Sequence, residues 1–264
     1  MPSLLSPASV AQSSAWSRHL NPLFNAAGPS VGHGDFSTSR DIGAAQQALL
    51  QRLIKPLGSG HWLQLSCGTG GASPAILERA EQLTGTDPDP SQIDRARRTH
   101  PRPRFVVSDT ERLPFAACSF DNLLSIQGLS HARDLEHALH QAWTVLKPGG
   151  WMALADFATQ PRHHQLADRT KMRWIAGSLG GLRLQPVERW QGHMEHMGMQ
   201  EIQVVDLTAA MAKGLNIWAD ALVAASGELG QRASAQLIAR SYRSLAKAGA
   251  GGPLRYVGVW GRKR

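Results

Sequence analysis

Cysteine is almost missing from this chain of 264 residues: there are only Cys67 and Cys118, and no CxxC pair. A disulfide framework and a cysteine-built zinc site are both excluded, and a reducing, cytoplasmic compartment is expected. Long apolar runs are absent too. No stretch approaches the roughly 18–20 residues of a spanning helix. The first residues, MPSLLSPASVAQSSAW, lack a basic n-region and a sustained apolar stretch, so no signal peptide is read there. Acidic residues are fewer than basic ones, 20 Asp plus Glu against 28 Lys plus Arg, for a net charge of +8. That excess implies a basic surface with some attraction for anions. The basic residues group as Arg95, Arg97, Arg98, Arg102 and Arg104, and as Arg262-Lys263-Arg264. With no aromatic-interleaved stripe and no appended binding module, they read as solvated surface and not as a nucleic-acid site.

What is present is enough apolar material, 42% of the chain, to bury a substantial core. Helical spacing runs from Asp41 to Lys55, and Pro56, Gly58 and Gly60 stop it. HWLQLS (61–66) then reads as a buried strand. Ser73-Pro74 marks a helix start, with the serine expected to cap it and the helix to run to about Leu83. LTGTD (83–87) is a short strand, and Asp89-Pro90 opens the next helix. RFVVS (104–108), NLLSIQ (122–127) and WMALADF (151–157) are further strands. DLEHALHQAWTVL (134–146) is an amphipathic helix stopped by Lys147-Pro148-Gly149-Gly150. This alternation predicts an α/β fold, a parallel sheet with helices on both faces. After residue 157 the rhythm changes to helices, then a strand EIQVVDL (201–207), helices to about 248, and a strand LRYVGVW (254–260). The layout divides into an N-terminal strap and helix (1–58), a core (59–157), a helical lid (158–199) and C-terminal strands and helices (200–264), all in one domain.

Ser66-Cys67-Gly68-Thr69-Gly70-Gly71 lies between a strand and a helix start. Glycines there let backbone pass close under a ligand, beside the free N–H groups of a helix N-terminus. Asp87 ends the following strand, where a carboxylate can take both hydroxyls of a ribose. Together they favour a nucleoside-bearing cofactor. Spacing alone does not separate NAD(P) from S-adenosylmethionine, so an NAD(P)-dependent oxidoreductase stays open at this point.

QLSCGTG (64–70), GTD (85–87), SDTERLPF (108–115), SFDNLLSIQGLSH (119–131) and LKPGGWMALADF (146–157) together resemble the motifs of the class I S-adenosylmethionine-dependent methyltransferases, particularly the small-molecule type. The resemblance spans about residues 60–157. It implies a Rossmann-like sheet of seven strands with the last antiparallel, and S-adenosylmethionine as cofactor. It further implies that Gly68 and Gly70 cradle the methionine moiety, Asp87 holds the ribose, Asp109 and Thr110 face the adenine, and Gln127 lies near the methionine amino group or the sulfonium. His33, Gly34 and Phe36 would strap over the cofactor. Two positions depart from the pattern: Gln64 stands where the family has an acid, and Ser66 where it has its first glycine. Both belong to the expected cofactor site.

Methyl transfer is an in-line displacement on an already activated carbon, so alignment and exclusion of water are the main requirements. A hydroxyl acceptor also benefits from a base. His131, after the fourth strand, and Asp156, ending the fifth, are the candidate catalytic residues; the family's motif often reads His-His where this chain has Ser130-His131. His163, His164, His193 and His196 lack the convergence a metal needs, and no metal is expected. Met172, Trp174, Trp190, Met194, Met197 and Met199 are candidates for an apolar acceptor pocket, at least half of them as ordinary packing. The expected activity is methylation of a small, partly apolar acceptor in specialised metabolism, on oxygen before carbon or nitrogen, with neither nucleic acid nor membrane as partner. A methyltransferase fold reused as a cofactor-binding module or a cyclase is the alternative.

Overall fold

The computed structural model describes residues 21–26, 32–160, 166–178, 181–248, 252 and 254–264. Seven strands form one sheet: β1 (His61–Leu65), β2 (Gln82–Asp87), β3 (Arg104–Val107), β4 (Phe120–Ile126), β5 (Leu146–Thr159), β6 (Met199–Asp206) and β7 (Leu254–Lys263). Their order is β3-β2-β1-β4-β5-β7-β6. The first five are parallel, while β7 runs antiparallel between β5 and β6. The sheet is therefore the Rossmann-like one expected, and its order reverses beside β1, the place where ligands bind in open parallel sheets.

Alternation along the central strands sorts side chains into two cores. Trp62, Leu124, Ala153 and Ala155 face α1 (Ile42–Ile54) and the long pair α7 (Thr208–Ala225) and α8 (Arg232–Ala248). Leu63, Leu65, Leu123, Met152 and Leu154 face α4 (Leu135–Val145) and α6 (Val187–His196). Three helices begin on aspartates that accept a backbone N–H: Asp41 for α1, Asp89 for α3 (Pro90–Thr99), Asp134 for α4. The strand readings all stand, within one to five residues at their ends.

Two local readings are corrected. The helix after the glycine turn, α2, covers only Ser73–Leu77, because the Glu81 and Gln82 N–H groups bond the Gly60 carbonyl (2.9 and 3.3 Å) and draw the chain into β2. Ser73 is not its cap either. Ala72 is, without a side-chain bond, and the Ser73 hydroxyl is buried with no partner among the described residues. The segment expected as a lid carries α5 (Leu166–Ser178) and α6. Trp190 and Met194 on α6 are fully buried in the sheet's second core, while α5 carries an exposed Trp174 and a buried Ile175.

Candidate functional site

The glycine turn grows out of β1. Cys67 N–H still bonds the Thr86 carbonyl (2.8 Å), after which the backbone enters left-handed conformations at Gly68 (φ +54°) and Gly70 (φ +78°). Ser66, at the family's glycine position, also has positive φ (+50°), so the backbone keeps the glycine shape with a serine in it. A Cβ on Gly70 would sit 2.9 Å from the Phe105 ring, which fixes how closely the loop lies on β3. Asp87 comes to the loop from β2. Its Oδ2 accepts from Gly68 N–H (3.0 Å) and its Oδ1 from Asp89 N–H (2.9 Å). Burial pushes its carboxyl up to about 6, against the pull of those two bonds.

Gln64 on β1, Ser73 at the start of α2 and Ser125 on β4 each carry a buried side-chain oxygen without a partner among the described residues. Unpaired buried oxygens are uncommon. These lie on the three elements that meet at the loop, and they suit an amino-acid moiety, with Gln64 Oε1 accepting from an ammonium and the hydroxyls donating to a carboxylate. Beyond β3, Asp109 is exposed and accepts from Glu111 N–H (3.0 Å), while Thr110 is buried. Ser108 Oγ ties that turn by donating to the Arg112 carbonyl (2.9 Å).

Gln127 follows β4 in a left-handed conformation (φ +56°) and bonds His33 Nδ1 through its amide nitrogen. His33 Nε2 in turn meets the Tyr242 hydroxyl of α8, and burial lowers the imidazole to about 4. The strap carrying His33 is held on several sides. Gln46 bonds the Gly32 carbonyl, Trp218 Nε1 donates to the His33 carbonyl (2.8 Å), and Arg52 pairs with Asp35 (3.0 Å). Phe36 packs so closely on Gly214 of α7 that a Cβ there would lie 2.1 Å from its ring. Tyr242, Tyr256 and Trp218 gather around His33, and the sequence motifs do not indicate them. One signal was available: the chain has just two tyrosines, and both are here.

Asp156 on β5 is fully buried, accepts from Ser130 N–H (2.9 Å) and Phe157 N–H (2.7 Å), and burial raises its carboxyl to about 6. It thereby secures, through the backbone, the 3-10 turn Leu129–His131. Within that turn Ser130 is buried and His131 is exposed. His193 lies 3.6 Å from Glu136, and His163 and His164 fall outside the described residues. Among the described residues no three potential ligands cluster for a metal. Lys263 leaves the expected basic surface cluster. It is buried, donating to the Trp143 and Leu146 carbonyls (both 2.7 Å) over the Trp143 ring.

A family model described as a methyltransferase domain matches residues 63–154, the stretch from β1 to β5. The chain is 29% identical to a 27-O-demethylrifamycin SV methyltransferase of Amycolatopsis mediterranei (strain S699) over 194 residues, 69% of this chain and 70% of that one. The chain is an S-adenosylmethionine-dependent methyltransferase. As a methyltransferase it takes S-adenosylmethionine, whose sulfonium supplies the activated methyl group. An O-methyltransferase, cnsE, of Penicillium expansum is 26% identical over 186 residues, 68% of this chain and 66% of that one. The methyltransferase thus spans 66–70% of the lengths of these two relatives. Its fold is shared with the [4+2]-cyclase SpnF, at a TM-score of 0.79 with 22% identity over 99% of both chains. No described helix of the methyltransferase is long and apolar enough to cross a membrane.

Proposed function

We propose that this methyltransferase acts on a hydroxyl oxygen of a small, partly apolar molecule of specialised metabolism. The observation that carries the reading is the buried aromatic cluster at the carboxyl ends of β4 and β5. There the strap, α7 and α8 bring His33, Phe157, Trp218, Tyr242 and Tyr256 together around one buried, uncharged imidazole. An apolar surface of this kind, with few polar groups in it, suits a partly apolar acceptor docking beside it. The names of the two relatives, both O-methyl chemistries, support oxygen over carbon or nitrogen.

In this reading Gly68 and Gly70 pass under the methionine moiety, Gln64 and Ser66 line its inner wall, Asp87 takes the ribose diol, and Asp109 with Thr110 borders the adenine. Gln127 borders the reacting end. His131 accepts the acceptor's proton, and Asp156 keeps its turn in place. Of the segment expected as a lid, α5 closes over the acceptor, within a single domain working in the cytoplasm without nucleic acid or membrane. The test is transfer of labelled methyl from S-adenosylmethionine to a panel of apolar phenols and alcohols, against matched amines and activated carbon acids. Label in the ethers supports the reading; label only in the carbon or amine products removes it.

Reuse of the fold for cyclisation is the second reading. The uncharged Gln64, in place of an acid, and the cyclase sharing this fold favour it. It predicts cofactor binding with no methyl turnover, and consumption of a polyene without label.

A further inference from the structure

His33 commits both ring nitrogens, Nδ1 to the Gln127 amide nitrogen and Nε2 to the Tyr242 hydroxyl. The amide nitrogen can only donate, so Nδ1 accepts and Nε2 carries the proton. Gln127 must then turn its amide oxygen, Oε1, away from the imidazole. Tyr256, on β7, has a fully buried hydroxyl with no partner among the described residues. Buried hydroxyls nearly always find a partner, so one is owed here. Gly32 shows where. A Cβ on it would lie 3.2 Å from Gln127 Oε1 and 3.5 Å from Tyr256 Oη, so the bare strap backbone lies against both atoms. One of them accepts only, and the other has a proton to give. Their complement is a group that donates and accepts at a single atom, which a water or a ligand hydroxyl supplies.

We propose that Tyr256 and Gln127 are the pair that receives a hydroxyl group of the small-molecule acceptor, and that His33 is the positioning residue that points the Gln127 carboxamide oxygen at it. The inference rests on the small-molecule reading above and sharpens it: a ligand hydroxyl donates to Gln127 Oε1 and accepts from Tyr256.

The probes are 2-naphthol and naphthalene, titrated by fluorescence into the full chain saturated with S-adenosylhomocysteine, whose own binding is first measured by calorimetry. Water solvates the naphthol better, so burial alone favours naphthalene. The expected result is about tenfold tighter binding of 2-naphthol, the size of two ordinary net hydrogen bonds. Tyr256→Phe keeps the ring and should bring the preference down to about threefold or less. His33→Leu should lower it as well. His33→Asn places an acceptor oxygen where Nδ1 was and should restore it. In the unaltered protein, nitrogen NMR should show His33 as the single neutral Nε2–H tautomer, a signature that mere packing of the ring would not fix. A naphthol bound no better than naphthalene, or a full preference surviving in Tyr256→Phe, overturns the proposal. Failure to bind S-adenosylhomocysteine would overturn the cofactor assignment, and is seen separately in the calorimetry.

Discussion

Ser66 and Gly128 share one volume. A Cβ on Gly128 would lie 2.3 Å from Ser66 Oγ and 2.6 Å from Ser66 Cβ, so the serine in the glycine turn is accommodated by a glycine after β4. Gly128→Ala should therefore destabilise the protein by about 1–3 kcal/mol, the usual range for overpacking. Adding Ser66→Gly should recover most of that loss and also relieve the left-handed serine. Ser125 Oγ, 3.0 Å from the same point, keeps the recovery partial. Denaturant melts of the two single variants and the double would show it; additive losses would refute the shared volume.

Asp87 ties the loop to β2 and is the ribose partner in the proposed reading. Asp87→Ala should weaken S-adenosylhomocysteine binding by roughly 1.5–3 kcal/mol, the scale of hydrogen bonds to a charged group. With its carboxyl raised to about 6, the ionised form that accepts from a diol is lost below that pH. Calorimetric affinity should fall between about pH 6.5 and 5, and Asp87→Asn should flatten that fall.

Stability of the cofactor-free protein should move the opposite way with pH. Burial raises the carboxyls of Asp87 and Asp156 from the ordinary carboxylate range to about 6. A raised folded value means the contribution is complete below about pH 4 and is lost as pH climbs through about 6. His33, held at about 4 by burial, works against them, since its contribution grows as pH rises from about 4 to 6.5, so melting temperature should decline across that window at roughly half the slope the two carboxyls alone would give. Asp156→Asn should melt lower at pH 4, having lost a paired carboxyl, yet show a shallower decline.

Gln64, on the strand that leads into the loop, carries a buried, unpaired side-chain oxygen. Gln64→Glu restores the family's charge at nearly constant shape. Without cofactor it should cost about 1–3 kcal/mol, since it buries a charge without a partner. The thermal shift given by cationic S-adenosylmethionine should be larger than in the unaltered protein. Equal shifts would mean that Gln64 does not face the ammonium.

For the reaction, His131→Ala should lower kcat by roughly 10²–10⁴-fold on a hydroxyl acceptor while leaving S-adenosylhomocysteine affinity nearly constant. The acid limb of the rate profile should vanish with it. Near-normal turnover with the limb intact would move the base away from His131 and favour an unassisted acceptor.

The α/β alternation was legible because parallel strands buried on both faces read as continuous apolar runs, and because Asp89-Pro90 carries its own start signal. The glycine turn and Asp87 were legible for a related reason: backbone geometry demands those residue types locally. Ser73 was misread because a serine before a proline is a cap by local chemistry, whereas here the turn from Gly70 supplies the first helical bond, Ser73 N–H to the Gly70 carbonyl (2.9 Å). Trp190 and Met194 read as pocket candidates because an amphipathic helix has the same period whichever surface it covers. The Tyr242–His33–Gln127 chain was beyond local reading altogether, since it joins residues 209 and 94 positions apart.

The antiparallel insertion of β7 also dictates an order of assembly. Among the described residues β6 has no ladder with β5 and pairs only with β7, which begins at Leu254, long after β6 ends at Asp206. A chain still emerging from the ribosome can lay down the five parallel strands and the glycine turn, but β5 keeps an open edge and Val204 and Val205 of β6 have nothing to register against. Tyr256 arrives with β7. The proposed nucleoside half of the site is thus laid down in a growing chain before the tyrosine proposed to read the acceptor exists, and pairing of the last strand couples completion of the sheet to completion of the proposed site.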